Sequence, residues 1–211
     1  MVEVEWRRHR ADQLREKAKE DAIVIVPVGS LEQHGPHLPV EIDSLLGETV
    51  ALRTARLAAE KEPVLVLPML WTGLSEHHMS FGGTITLDTD TFLAVLRCVC
   101  ESIVRHGFRR IVLLNGHGGN ENAMRVAADD LSPKLNVSIV QFTYWYAASQ
   151  VIAPLLEAER VVARLRGGDL DVHGAASRAG REGPHPPRRG EHDARCGGDR
   201  RLGRLSLAQP R

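Results

Sequence analysis

Residues 22–28, Ala-Ile-Val-Ile-Val-Pro-Val, decide the fold. The run is continuously apolar, follows a charged stretch and stops at Gly29. Such a run reads as a strand buried on both faces, the mark of a parallel sheet. Upstream, residues 8–20 read as a short polar helix. Downstream, a Gly/Pro/His loop reaches residue 42, and 43–59 reads as a helix with Leu45, Val50, Leu52 and Leu57 among its apolar positions. Residues 64–67 form a second strand and 84–87 a short third one. Residues 89–106 are an amphipathic helix, with Asp88 or Thr89 as its N-cap and Gly107 as its terminating glycine. A buried strand at 110–114, a glycine-rich turn at 115–120, a helix at 121–131, a strand at 137–142 and a helix at 150–165 follow. Strands alternating with helices predict an α/β fold with a mainly parallel sheet. In such sheets ligands bind beyond the carboxyl ends of strands, and the loops at 29–43 and 115–120 both follow strands.

Composition narrows the function. The 211 residues fit one domain, or one domain with a tail, and 43% hydrophobic residues suffice for a core. The 27 basic residues balance 27 acidic ones, so no nucleic-acid or membrane partner is indicated. The N-terminus is too charged for a signal peptide, and no apolar run nears the ~18 residues of a membrane span. Three cysteines, two of them only two residues apart at Cys98 and Cys100, argue against a disulfide framework and for the cytoplasm. Cys98 and Cys100 read as core residues, and Trp71, Trp145 and Tyr146 as packing residues.

Five of the ten histidines lie in three dense blocks, EQHGPHLP, SEHHMS and NGHGGN. In the first, Glu32 and His34 alternate, so in extended backbone both side chains leave the same side. Gly35 and Pro36 turn the chain, and Asp43 opens the next helix. Two carboxylates and an imidazole on a preorganised loop suit zinc, manganese or iron(II). Three ligands are too few for two separate ions, so a two-metal site requires a shared Asp43 or Glu32. His117 projects from the turn at 115–120 toward that loop, and glycines there allow close backbone approach. The same turn could serve as a phosphate cradle at a helix N-terminus, but it lacks a lysine and does not match G-x-G-x-x-G. Glu76, His77 and His78 in the third block either orient a ligand or form an exposed polar loop.

The block G-S-x-E-Q-H-G-P-H-L-P with its trailing Asp43, the N-G-H-G-G-N block, and residues 75–87 (SEHHMSFGGTITL) between them resemble the creatininase, or creatinine amidohydrolase, family. The likeness runs from about residue 22 to 173 and keeps the order and spacing of the motifs. It implies a three-layer α/β sandwich, a homo-oligomer that is often a hexamer, and two divalent metals that activate water against a C–N bond. On this resemblance Glu32, His34, Asp43 and His117 are metal ligands, with Asp43 the bridging carboxylate. The implied activity is that of a metal-dependent amidohydrolase acting on non-peptide C–N bonds of a small cyclic amide or formamide-like molecule. The family also covers deformylation of a pyrimidine intermediate in deazaflavin biosynthesis and peptide trimming in mycofactocin maturation.

Two departures stand out. In creatininase proper a glutamate two residues after the motif histidine completes the second metal site; here that position is Gly119. Members with N-G-H-G-G-N use a downstream His-Ala/Gly-Gly and Glu-Thr-Ser block. Residues 171–174 (DVHG) resemble its start, making His173 the expected proton donor or substrate contact, alongside Glu76 as a second catalytic candidate. The Glu-Thr-Ser does not follow. Residues 174–211 hold nine Arg, seven Gly and four Pro, and no Ile, Val, Met or aromatic residue. Such a segment cannot bury enough apolar surface to offset its ordering entropy and is expected to be disordered. Domain (1–173) and tail (174–211) are therefore expected, the tail either a natural basic one or a frame-shifted or otherwise aberrant C-terminus. The alternative reading is an inactive or impaired member that keeps the fold without turnover.

Overall fold

The computed structural model describes residues 2–149. In chain order they form α1 (Ala11–Lys19), β1 (Ile23–Val28), α2 (Ile42–Ala58), β2 (Val64–Val66), α3 (Thr89–Arg105), β3 (Arg110–Asn115), α4 (Glu121–Leu135), β4 (Ser138–Thr143) and a single helical turn, α5 (Tyr144–Ala147). The four strands make one sheet in the order β2-β1-β3-β4, every pair parallel. The helix expected at 150–165, His173 and the tail lie outside the described residues.

The apolar run of β1 does what its composition requires. Val24, Val26 and Val28 face one core with Ile111 and Leu113 of β3, and α3 and α4 cover it with Phe92, Leu96, Ile103, Met124 and Leu131. Ile25 points to the opposite core with Val64, Val66 and Leu114, covered by Ala51 and Ala55 of α2. Helices thus sit on both faces, giving the three layers expected. Full burial of each such side chain stabilises the fold by roughly 1.5–3 kcal/mol. Pro27, an awkward residue for a central strand, falls beyond the last β1–β2 pair, Ile25 with Val66. Its carbonyl faces the β2 side, accepting from Leu70 N–H at 2.9 Å, so its missing N–H falls past the end of β2 and costs the β1–β3 ladder nothing.

The sheet also explains where a ligand would go. β1 leads through α2 to β2 on one side, and β3 leads through α4 to β4 on the other. Adjacent strands whose connections part to opposite sides open a crevice at their carboxyl ends. The loops after β1 and β3 begin there, at the paired residues Val28 and Asn115.

Some boundaries differ from the sequence expectation. Residues 84–87 join no sheet; they make only isolated bridges, Leu31 with Ile85 and Gly73 with Thr86. The preceding Gly82 and Gly83, both at positive φ, turn the chain away from the sheet. Thr86 then accepts from the Ser75 N–H instead of entering a ladder. Residues 6–8 form a separate 3-10 turn, so α1 starts at Ala11. α4 runs past Pro133 to Leu135, because a proline in the last turn forfeits one backbone bond without ending the helix; Asn136, left-handed at φ 53°, ends it. β4 starts one residue later than expected. α3 keeps its expected cap: Asp88 accepts from Thr91 N–H at 2.7 Å.

Candidate metal centre

Three loops converge at the crevice: 29–41 after β1, 67–88 before α3, and 116–120 after β3. Gly116 lets the third approach the first. A Cβ there would stand 2.8 Å from the Asp43 carbonyl oxygen. Asn120, fully buried, ties all three together: its amide nitrogen donates to the Gly29 carbonyl at 2.9 Å and its oxygen accepts from Leu74 N–H at 2.8 Å. Ser44, on the first turn of α2, donates to the Ser30 and Trp71 carbonyls, 3.0 Å each.

On this frame five side chains form an alternating line of imidazoles and carboxylates. His34 Nε2 lies 3.1 Å from Asp43 Oδ1. Asp43 Oδ2 lies 2.8 Å from His117 Nδ1. His117 Nε2 lies 3.3 Å from Glu32 Oε2, and Glu32 Oε1 lies 3.7 Å from His78 Nε2. Glu32, His78 and His117 are buried, Asp43 and His34 half-buried. Glu32, Asp43 and His117 offer ligand atoms within 4.8 Å of one another, as do Glu32, His77 and His78.

The hydrogen bonds behind this line decide what can occupy it. His34 Nδ1 donates to the Glu32 carbonyl at 3.1 Å, and His117 Nε2 donates to the Leu74 carbonyl at 3.0 Å. In a neutral imidazole the other nitrogen then carries a lone pair. Both lone pairs point at Asp43, a carboxylate. Each contact is favourable only when a proton or a metal ion lies between. Backbone carbonyls fixing the far nitrogen of an imidazole are what metal-ligating histidines use. Among the described residues no lysine or arginine forms an ion pair with Glu32 or Asp43, whose ion-pair partners there are histidines. Burial of carboxylates without a cation is costly. The donor set therefore fits a divalent metal. Burial pushes the His117 pKa down, but the bond to Asp43 and the charges of Glu32 and Asp43 outweigh it, and the pKa is raised.

The sequence-expected ligands Glu32, His34, Asp43 and His117 are thus brought together. The third block divides. His78 is buried and turned to Glu32, with its Nδ1 2.9 Å from the Gln33 amide nitrogen. His77 is exposed, its ring 6.1 Å from that of His117 and nearly parallel to it. Glu76 is exposed at the start of the same 3-10 turn, Glu76–Phe81. Gly119 has no room for a side chain: a Cβ there would overlap the Leu74 carbonyl oxygen and His117 Nε2. Sequence reading missed Asn120, Ser30 and Ser75. Ser30 Oγ sits 3.3 Å from Glu32 Oε2 and also bonds Ser75 Oγ. Asn120 carried a signal, as a short polar residue closing the glycine turn before a helix.

The family model described as creatinine amidohydrolase matches residues 8–176, most of the chain. The chain belongs to the creatininase family. Among curated relatives, a mycofactocin precursor peptide peptidase of Mycobacterium tuberculosis is 40% identical over 107 residues, 48% of this chain and 42% of that protein. A creatinine amidohydrolase of Pseudomonas putida is 36% identical over 127 residues, covering 58% and 45%. A 3-dehydro-scyllo-inosose hydrolase of Thermotoga maritima is 34% identical over 144 residues, covering 65% and 43%. The matches span less than half the length of these creatininase-family relatives. Among solved structures, a creatinine amidohydrolase (creatininase) superposes with a TM-score of 0.67 at 28% identity, over 75% of this chain and 65% of that one. A manganese creatininase gives 0.66 at 27%, over 74% and 64%. A zinc–zinc form of a creatininase mutant gives 0.66 at 28%, over 75% and 65%.

Proposed function

We infer that this chain is a metal-dependent amidohydrolase that cleaves a C–N bond of a small cyclic amide or formamide-like substrate. The observation that carries the reading is the carboxylate of Asp43 held between two imidazole lone pairs at a topological switch point, with no lysine or arginine among the described residues paired with it. Glu32, Asp43 and His117 would hold one divalent ion, and His34, whose free nitrogen faces the other Asp43 oxygen, would be a further metal ligand beside that shared carboxylate. Zinc and manganese, which occur in the solved relatives, suit these donors, as does iron(II). A bound divalent metal supplies Lewis acidity there, polarising a carbonyl and making water acidic near pH 7.

The chain's own groups supply the rest. Ser30 and Ser75 hydrogen-bond the face of Glu32 and His117 and fix their orientation. Amide cleavage also needs a proton for the leaving nitrogen. Glu76, exposed at the rim, and His173, outside the described residues, remain the groups we assign to proton delivery and substrate contact. Gly119 stands against creatinine itself as the substrate. The cytoplasm, a homo-oligomer, and a domain ending near residue 173 before a frame-shifted or otherwise aberrant tail complete the proposal; the family match stops at residue 176.

One experiment tests it. Purified protein is assayed against a panel of cyclic amides, formamides and a short peptide amide, before and after chelation. Turnover of one class, lost with chelator and restored by metal, supports the reading; none in a metal-loaded protein refutes it. The second reading, a fold that keeps metal without turnover, is favoured by Gly119 alone and predicts bound metal with an inert panel.

A further inference from the structure

Val28, Asn115 and Thr143 stand side by side at the carboxyl ends of β1, β3 and β4, in register across the sheet. Alternation puts them on the face of Val26, Leu113 and Ile139, which belongs to the core under α3 and α4. Val28 obeys that apolar pattern. Asn115 is polar yet fully buried, and Thr143 is buried beside it. Two polar side chains on a core face carry a desolvation cost that valine or leucine would avoid. A local breach of pattern of this kind marks positions kept for a site.

Their hydrogen bonds show what the pair does. Asn115 Oδ1 accepts from His117 N–H at 3.0 Å. That contact orients the carboxamide, since an N–H needs an oxygen opposite it. Asn115 Nδ2 then donates to Thr143 Oγ1 at 3.3 Å, and Gln141 Nε2 donates to the same oxygen at 2.8 Å. His117 is itself buried, where a main-chain N–H requires a partner. Its carbonyl accepts from Asn120 N–H at 3.2 Å, and its Nε2 donates to the Leu74 carbonyl at 3.0 Å. Main chain and ring are thus held separately, and Asn115 holds the main chain at its N–H.

We propose that Asn115 is a positioning residue for the metal ligand His117, with Thr143 keeping its carboxamide in the working orientation. The inference rests on the metal-centre reading and extends it to β4, a strand outside the ligand loops. A ring fixed at the Leu74 carbonyl alone can pivot about that bond. With the N–H held as well, Nδ1 stays 2.8 Å from Asp43 Oδ2. Groups that orient a metal ligand typically contribute about 10–100-fold in affinity. If Asn115 only filled the end of the sheet, its loss would lower the melting temperature and leave metal binding unchanged.

The test is cobalt(II) binding to the full chain. Chelated protein is titrated with cobalt(II) against a chromogenic chelator, its visible d–d absorption is recorded, and circular dichroism checks the fold. Asn115→Leu suits the apolar face but offers no acceptor. It should bind about 10–100-fold more weakly than the parent, with shifted d–d bands. Asn115→Asp still accepts from His117 N–H, and the Thr143 hydroxyl can rotate to donate to its other oxygen. Affinity and bands should return to those of the parent. Thr143→Val should weaken binding, by less than Asn115→Leu, whereas Thr143→Ser should keep it. This second pair decides the matter if Asn115→Leu does not fold. Leu131→Ala, a cavity in the core under α4, is the stability control: it should melt earlier and bind as the parent does. A folded Asn115→Leu with the parent's affinity and spectrum overturns the proposal, and so does Thr143→Val with the parent's affinity. Asn115→Asp as weak as Asn115→Leu also overturns it, as does Leu131→Ala losing as much affinity, since the effect would then follow stability. A folded parent that binds no cobalt(II) removes the metal-centre reading itself and the proposal with it.

Discussion

Asp43 Oδ2 lies 2.8 Å from His117 Nδ1, joining two residues 74 positions apart in the chain. One opens α2 and the other follows β3; the contact exists because β1 and β3 pair in register and their loops leave the sheet together. The same carboxylate meets His34 through its other oxygen. It is therefore the group on which the centre turns.

Asp43→Asn keeps the shape and removes the charge. An amide nitrogen can donate to one imidazole lone pair, so the fold should persist. Metal affinity should fall by more than about 100-fold, the upper end for a group that merely supports a ligand. Equilibrium dialysis with zinc checks this, with thermal melts confirming the fold.

Asn120→Ala should loosen the whole site. It strips two hydrogen bonds from a fully buried position and leaves the Gly29 carbonyl and Leu74 N–H without them. Each unsatisfied buried group costs about 1–3 kcal/mol. Chemical denaturation should show a loss in that range or somewhat above, and metal affinity should drop although no ligand has changed.

The α3 cap gives a pH-dependent test. The N–H and hydroxyl of Thr91 hold the Asp88 carboxyl below its usual pKa. A folded-state pKa below the unfolded one contributes stability above the unfolded value of about 3.9, lost as pH falls through the folded value. Asp88→Ala should therefore melt at a lower temperature than the parent at neutral pH. The gap should narrow in strong acid, where the parent cap is protonated. A gap independent of pH would exclude the charge as its origin.

Thiol chemistry separates the two described cysteines. Cys98 is exposed, whereas Cys100 is fully buried and its thiol is pushed up to about 12 by burial, then by Glu101. In a Cys196→Ser background, a disulfide reagent at mild alkaline pH should label one thiol in the native protein and two after denaturation. This also corrects the sequence expectation that both sit in the core: the helix turns Cys98 outward and Cys100 inward.

Much of this architecture was legible in the chain. β1 and β3 announced themselves as continuous apolar runs, because a strand buried on both faces has no solvent side to alternate with. α3 was legible from its period and its cap. The ligand loops were legible because glycine and proline beside histidine mark a turn that carries side chains to one place. What stayed hidden depended on tertiary placement. Glu76, His77 and His78 are alike on paper; only the 3-10 turn buries His78 and exposes the other two. Residues 84–87 looked like a strand because Thr and Ile favour one, but their partners come from loops: Gly73 and Ser75 on their own and Leu31 on the one after β1. Asn120 was hidden for a similar reason, since its partners come from two loops remote in sequence.

The central claim is that Glu32, Asp43 and His117 hold a divalent ion. Metal content of the purified chain and of His117→Ala, measured after dialysis against zinc, tests it most directly. The account predicts at least one tightly held equivalent in the parent and its loss in a folded His117→Ala. A folded parent without metal, or a variant that retains the full complement, would contradict it.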